Sequence, residues 1–168
     1  TTPVPQSRSD HMTSPVTAGD DTNEAITLVS LPLARRGQLR NALTEAGLPH
    51  ADIMEAGRTF FAGERDRVAV GYIGLAVHGK DALLRSLVVV EAERDHGFGS
   101  ALVRGAIACA RARGVTHLWV LTTTAVVFLQ RLGFQSVERS AAPATIRGTT
   151  EFASLCPATT VCMTRPTA

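Results

Sequence analysis

The apolar positions of the 168-residue chain change spacing several times, and each change predicts an element. Ala25 to Leu31 reads as a first strand that Pro32 breaks. Arg35 to Ala46 then sets Leu39, Ala42, Leu43 and Ala46 on one helical stripe, with Gly47 as its stop. Leu48 to Gly57, which holds Pro49, His50, Asp52 and Glu55, predicts a loop or a short second helix. Arg58 to Ala62, Val68 to Val77 and Ala82 to Val90 read as three strands in hairpin succession. Polar turns at Gly63 to Arg67 and His78 to Asp81 join them.

Past Val90 the period switches to that of a helix, with Phe98, Leu102, Val103, Ala106, Ile107 and Ala110 in register up to Arg113. Thr116 to Thr123 is a strand, Ala125 to Leu132 a short helix and Phe134 to Arg139 another strand. Ser140 to Gly148 reads as a loop around Pro143. Thr149 or Thr150 would cap a short helix carrying Glu151 in its first turn, where the dipole favours it, before Pro157 ends it. Thr159 to Thr164 is a last strand of edge type.

The densest chemistry lies between the strand ending at Val90 and the helix opening at Phe98, in the spacing Arg94-x-x-Gly97-x-Gly99. Glycines let the backbone turn and come close to a ligand, and the open N–H groups and dipole of a helix N-terminus favour negative charge. A pyrophosphate would fit there. The P-loop needs Gly-Lys-Ser/Thr closing the glycine run. The dinucleotide fold needs a third glycine where Leu102 stands and an acidic residue ending the next strand; neither is met.

The segment Arg94 to Gly99 resembles the Gln/Arg-x-x-Gly-x-Gly/Ala pyrophosphate motif of the GNAT superfamily of acetyl-CoA-dependent N-acetyltransferases, with no departure. Its flanks extend the likeness. Leu87 to Val89 match the family's Leu-x-Val strand, and Ala125, Phe128, Gly133 and Phe134 match its Ala-x-x-Phe-x-x-x-x-Gly-Phe pattern. The resemblance runs from about Ile26 to Met163. It implies a three-layer α/β/α GNAT fold: a mixed, twisted sheet of six to seven strands with about four helices on its two faces.

For the cofactor side the resemblance implies that the main chain of Leu87, Val88 and Val89 pairs with the pantetheine arm of acetyl-CoA. The N–H groups of Asp95, His96, Gly97, Phe98, Gly99 and Ser100 would hold the pyrophosphate, with charge added by Arg94. Thr122 stands where the family usually has an Asn bonding the pantetheine amides, and Phe128 would pack near the thioether. Leu48 to Gly57 would wall the acceptor pocket. A tight turn and a core phenylalanine are the plainer readings of the same residues.

On the acceptor side Arg85 interrupts a strand otherwise apolar on both faces, so it requires a counter-charge. Either it binds the carboxylate, or oxyanion analogue, of an acidic acceptor, or it forms a structural ion pair with an internal Glu or Asp. Acetyl transfer also needs a base for the ammonium, donors for the oxyanion and an acid for the thiolate. The family's usual acid, a Tyr, is Leu129 here, and Tyr72 is the only tyrosine. Water would then protonate the thiolate. Glu151, Glu55 and His78 are the candidate bases; a solvated surface role is the plainer alternative for each.

Three phrases narrow the likeness: Leu83 to Leu87, Leu121 to Ala125 and Glu151 to Pro157 resemble the arsenic-resistance type of GNAT protein, although Ala76 stands where those relatives carry Glu. The function implied is N-acetylation of a small acidic acceptor such as an amino acid or an arsenical amino-acid mimic. Two readings stand beside it: a non-catalytic acyl-CoA-binding sensor module, and a peptide N-terminal acetyltransferase. Cys156 and Cys162 read as buried cysteines rather than an arsenic site.

Composition adds limits. Residues 1 to 24 read as a cloning remnant ending near His11-Met12 and a Ser/Thr/Pro/Gly segment expected to be disordered, ahead of a single domain from 25 to 168. A formal net charge of +2, with no basic cluster, argues for no nucleic-acid or membrane partner. Three scattered cysteines without a C-x-x-C pair suggest neither a disulfide framework nor a metal, and fit the cytoplasm. No apolar run reaches the ~18 residues of a membrane span. A homodimer through the C-terminal strands is compatible with the family resemblance.

Overall fold

The computed structural model describes residues 26–54, 59–155 and 159–168. The expected strand start at Arg58, the candidate Glu55, the stop at Pro157, Cys156 and the whole 1–24 segment lie outside them. Seven strands form one sheet: β1 (Thr27–Ser30), β2 (Thr59–Arg65), β3 (Val68–His78), β4 (Asp81–Val89), β5 (His117–Thr122), β6 (Gln135–Val137) and β7 (Val161–Pro166), in the order β1-β2-β3-β4-β5-β7-β6. All neighbours are antiparallel except β4 and β5, which run parallel. The helices are α1 (Arg36–Glu45), α2 (Phe98–Ala112), α3 (Val126–Arg131) and the short α4 (Ala144–Arg147).

Two hairpins build the left half of the sheet. The β2–β3 turn is tighter than Gly63 to Arg67: β2 continues through Gly63, and Asp66 and Arg67 alone reverse the chain, both with positive φ. That two-residue geometry matches the strand twist. The helix α2 lies close over these strands. At Gly71 a Cβ would stand 2.7 Å from Leu102 Cδ1 and 2.7 Å from the Val88 carbonyl, so only glycine admits the helix at this depth. Leu102, Val103, Ala106 and Ala110 are fully or nearly fully buried there with Val70, Ile73, Leu75 and Leu118. A buried leucine of this kind stabilises by about 1.5–3 kcal/mol.

A second core, Leu31, Leu39, Leu43, Ile53, Phe60, Ala62, Tyr72 and Val88, forms around α1. A third contains Leu83, Trp119, Leu121, Ile146, Phe152 and Cys162.

The right half corrects two expectations. β7 is not an edge strand: it inserts between β5 and β6, pairing Leu118 to Arg165 on one side and Val137 to Cys162 on the other, and the three-residue β6 is the edge. Its two-sided pairing sets the interior place, and Cys162 and Met163 are buried within it. Nor is 140–148 a plain loop. A 3-10 turn (Arg139–Ala141) and α4 occupy it, with Pro143 setting an extended entry to the helix and Ile146 fully buried beneath it. The cap expected at Thr149 is present: its hydroxyl accepts from the Phe152 N–H at 3.3 Å and donates to the Ile146 carbonyl, opening the wide helical turn Glu151–Leu155.

Candidate active site

Strand β4 bends at its sixth residue. Ser86 has φ +55°, a left-handed conformation uncommon outside glycine, and the register against β3 slips there, so that Val88 pairs with Tyr72 but Arg85 with Gly74. The extra residue turns β4 away from β5, and their pairing stops at Leu84 and Val120. Beyond that point the two strands part. A cavity of about 800 Å³ opens at the fork, lined by Leu84 to Leu87 of β4, Val120 to Thr122 of β5, the following 123–125 turn, Leu129 of α3 and Leu48 to Ala51 after α1. The 48–51 stretch thus walls a pocket.

At the outer end of the fork, beyond Val89, lies the Arg94 to Ser100 turn. Arg94 to Gly97 are all exposed, so this turn faces solvent and not the core. Asp95 and Gly97 both have positive φ, at +67° and +77°, and Gly97 is the N-cap of α2 with no side-chain cap on the helix. The N–H groups of the first α2 turn therefore point outward in a common direction. Arg94 Nε donates to the Val89 carbonyl at 3.3 Å, tying the turn to the end of β4. A Cβ on Gly99 would lie 3.4 Å from Phe128 Cζ. Phe128 thus packs on the start of α2 and against the core beneath it. The Phe98 ring is core; only its main chain belongs to the turn.

Leu87 faces the cavity, whereas Val88 is buried with Tyr72 and Phe60 on the other face of the sheet, the alternation of a strand. Thr122 lines the cavity and its Oγ1 accepts from the Ala125 N–H at 2.9 Å, leaving the hydroxyl proton to donate.

Arg85 has its counter-charge inside the chain. Its two terminal nitrogens both donate to the Asp52 carboxylate, and each of the two side chains is only 2% exposed. Nε lies 3.2 Å from Ser86 Oγ and 3.5 Å from Glu151 Oε2. The Phe60 ring stands under the guanidinium at 5.6 Å and also under Arg36 at 5.0 Å, and Arg36 Nη1 donates to the Ile53 carbonyl at 3.0 Å. Burial lowers the Arg36 pKa. Two arginines thus clamp the 48–54 loop onto the sheet.

Of the candidate bases, Glu151 lines the cavity. His78 does not. It is the last residue of β3, opposite Asp81, five positions past the cavity-lining Ile73, roughly 17 Å away at ~3.3 Å per strand residue. Sequence reasoning overlooked His50 as a chemical group. It lines the cavity, half-buried, with Nδ1 3.1 Å from the Leu48 carbonyl. Asp52 was also missed as the partner of Arg85; 33 residues separate them, and no local pattern links the two.

Among the described residues no group of three or more His, Cys, Asp or Glu side chains could hold a metal, and no helix is long and apolar enough to cross a membrane.

Comparison with known proteins places this geometry. Residues 56–136 match the family model described as the acetyltransferase (GNAT) domain. An uncharacterized N-acetyltransferase of Chlorobaculum tepidum is 33% identical over 93 residues, covering 55% of this chain; the match spans 59% of that protein's length. Among solved structures, N-acetylglutamate synthase of Neisseria gonorrhoeae, complexed with coenzyme A and N-acetyl-glutamate, superposes with a TM-score of 0.66 at 19% identity, over 84% of this chain and 35% of that one. A Mycobacterium tuberculosis protein in complex with CoA and NLQ gives 0.67 at 19% identity, over 82% and 98%. The ribosomal-protein-S18-alanine N-acetyltransferase of Escherichia coli gives 0.65 at 18%, over 85% and 94%. Residues 56–136 are thus similar in sequence to an acetyltransferase (GNAT) domain, and most of the chain is similar in fold to the solved structures.

Proposed function

We propose that this protein is an acetyl-CoA-dependent N-acetyltransferase acting on a small amine, with an amino acid or amino-acid mimic as the acceptor class. The observation that carries the reading is the fork: the parting of β4 from β5 after Leu84 joins an outward-facing helix N-terminus to a partly open, largely apolar cavity that carries a few polar groups. The residues present suit coenzyme A. The N–H groups of Asp95 to Ser100 receive the diphosphate, with Arg94 beside them. The main-chain edge of Leu87 to Val89 takes the pantetheine amides as an added strand would, assisted by the Thr122 hydroxyl. Bound there, acetyl-CoA supplies an activated acyl group at the inner end of the fork.

The acceptor reading rests on two charges of opposite sign lining the same cavity, Arg85 and Glu151. A zwitterion places its ammonium toward the carboxylate and its own carboxylate toward the guanidinium. Asp52 takes two of the five N–H donors of Arg85. Pockets of roughly 300–1,000 Å³ hold one drug-sized ligand, so a cavity of about 800 Å³ suits the end of the pantetheine arm and one small acceptor. An arsenical amino-acid mimic, in an arsenic-resistance setting, is the member of this class favoured by the phrases around Arg85, Thr123 and Glu151.

One observation favours a sensor instead: buried Leu129 lines the cavity where relatives carry the acid Tyr. A thiol-release assay with acetyl-CoA and a panel of amino acids, arsenical mimics, plain amines and peptides decides. Acceptor-dependent release with amino acids supports the enzyme. Saturable binding with no release under any acceptor supports the sensor, and release with peptides alone overturns the small-acceptor reading.

A further inference from the structure

We infer that His50 is the general base of this site, acting through Nε2; the inference rests on the acetyltransferase reading and deepens it. The ring has two nitrogens, and their surroundings give them different tasks. A backbone carbonyl only accepts, so the 3.1 Å contact of Nδ1 with the Leu48 carbonyl requires the proton on Nδ1. In the neutral ring the lone pair is then on Nε2, at the edge turned away from Leu48. His50 itself lines the cavity, so the ring that carries this lone pair stands in the wall of the acceptor chamber.

The loop that carries the ring is held for the purpose. Asp52, two residues on, is locked bidentately to Arg85, and the Ile53 carbonyl to Arg36, both pairs being buried. A base on a free loop would sample many positions; this one is fastened at two points within three residues. The charged groups around it are Arg85 and Glu151 across the cavity, Asp52 on its own loop and Arg36 of α1. Glu151, the other candidate, is engaged with Arg85, its Oε2 3.5 Å from the guanidinium Nε.

The step balances without a tyrosine. Nε2 takes one proton from the acceptor ammonium and becomes imidazolium. The freed nitrogen lone pair forms the C–N bond at the thioester carbonyl, whose π electrons move to oxygen. When the C=O bond re-forms, the C–S bond breaks and the sulfur keeps its electrons. The second nitrogen proton passes to that thiolate through solvent, and the imidazolium returns its own to water. The net change is ammonium plus thioester to amide, thiol and one released proton.

The test uses His50→Asn, whose side-chain amide keeps an N–H for the Leu48 carbonyl but has no basic lone pair. At pH 7, kcat/KM for an amino-acid acceptor should fall about 100-fold or more, the usual share of a general base. Near pH 9.5, where the acceptor ammonium gives up its proton unaided, the gap should narrow to under about tenfold, while acetyl-CoA binding by calorimetry stays at the wild-type value. A loss equal at both pH values, or no loss, overturns the inference. A readout independent of turnover is the nitrogen-15 spectrum of the His50 ring in the wild-type protein: the neutral Nδ1–H form supports it, and the Nε2–H form overturns it. Wild-type protein that binds acetyl-CoA yet acetylates no amine would instead overturn the function proposed above, and the ring spectrum would still test the His50 tautomer by itself.

Discussion

Removing either partner of the Asp52–Arg85 pair tests the site's framework, because both side chains are 2% exposed and neither can turn to water for its lost partner. Breaking a buried ion pair from one side costs about 3–5 kcal/mol, since a buried charge is left uncompensated. The two halves are not equivalent. Asp52→Asn leaves Arg85 with Glu151 3.5 Å from Nε, so its cost should fall near ~3 kcal/mol, the low end of that range. Arg85→Met strips the cation from two carboxylates at once and belongs at the high end, ~5 kcal/mol. At roughly 2–4 °C per kcal/mol for a domain of this size, Tm should drop by about 6–12 °C for Asp52→Asn and about 10–20 °C for Arg85→Met. Thermal unfolding followed by circular dichroism measures both, and calorimetry on the folded variants checks that acetyl-CoA still binds. A drop below about 2 °C for Asp52→Asn, or a milder effect for Arg85→Met than for Asp52→Asn, would refute the argument. If Arg85→Met instead kept its Tm and lost only the acceptor, the guanidinium would serve the acceptor alone, with no structural part, and Asp52 would be its idle neighbour.

Gly99→Val inserts branched carbons where even a Cβ meets Phe128 at 3.4 Å, so acetyl-CoA affinity should fall at least about tenfold by calorimetry, the order of one lost contact set. Ser86→Val forces a β-branched residue into φ +55°; chemical denaturation should show a loss of about 1–3 kcal/mol together with weaker acetyl-CoA binding as the bulge resists its shape. Burial raises the Tyr72 phenol above its usual value, with a smaller opposing effect of Arg35 and a smaller reinforcing one of Glu64. A raised folded pKa means this contribution is whole below the unfolded phenol's pKa, about 10, and vanishes as pH climbs through the folded value; Tyr72→Phe should therefore flatten the alkaline fall in stability. Burial likewise raises the Cys162 thiol, so iodoacetamide should label half-buried Cys109 well before Cys162 in native protein.

Much of this was legible along the chain because the governing interactions are local. The strand, glycine turn and helix from Leu83 to Arg113 announce themselves by period and by spacing, and the structure has β4, the exposed turn and α2 there. Thr149 as a cap is equally local. What escaped the sequence depends on partners far along it. The place of β7 inside the sheet is decided by pairing with β5, some forty residues earlier, and an apolar pair such as Cys162 and Met163 looks the same in an edge strand as in an inner one. His78 was a fair candidate by type but sits at the wrong end of its strand, a matter of register. His50 carries no neighbouring motif; its chemistry arises from a carbonyl two residues back and a loop fastened by Arg36 and Arg85.

The insertion of β7 has a consequence for the order of assembly. Among the described residues β6 pairs only with β7, which comes more than twenty residues later, while β2, β3 and β4 are joined by turns of two residues each. Closing long loops costs entropy before any contact repays it. The hairpin half should therefore zip first, with β6 waiting unpaired until β7 threads in beside β5. Amide-exchange pulse labelling during refolding would then record protection of β2 to β4 before that of β6.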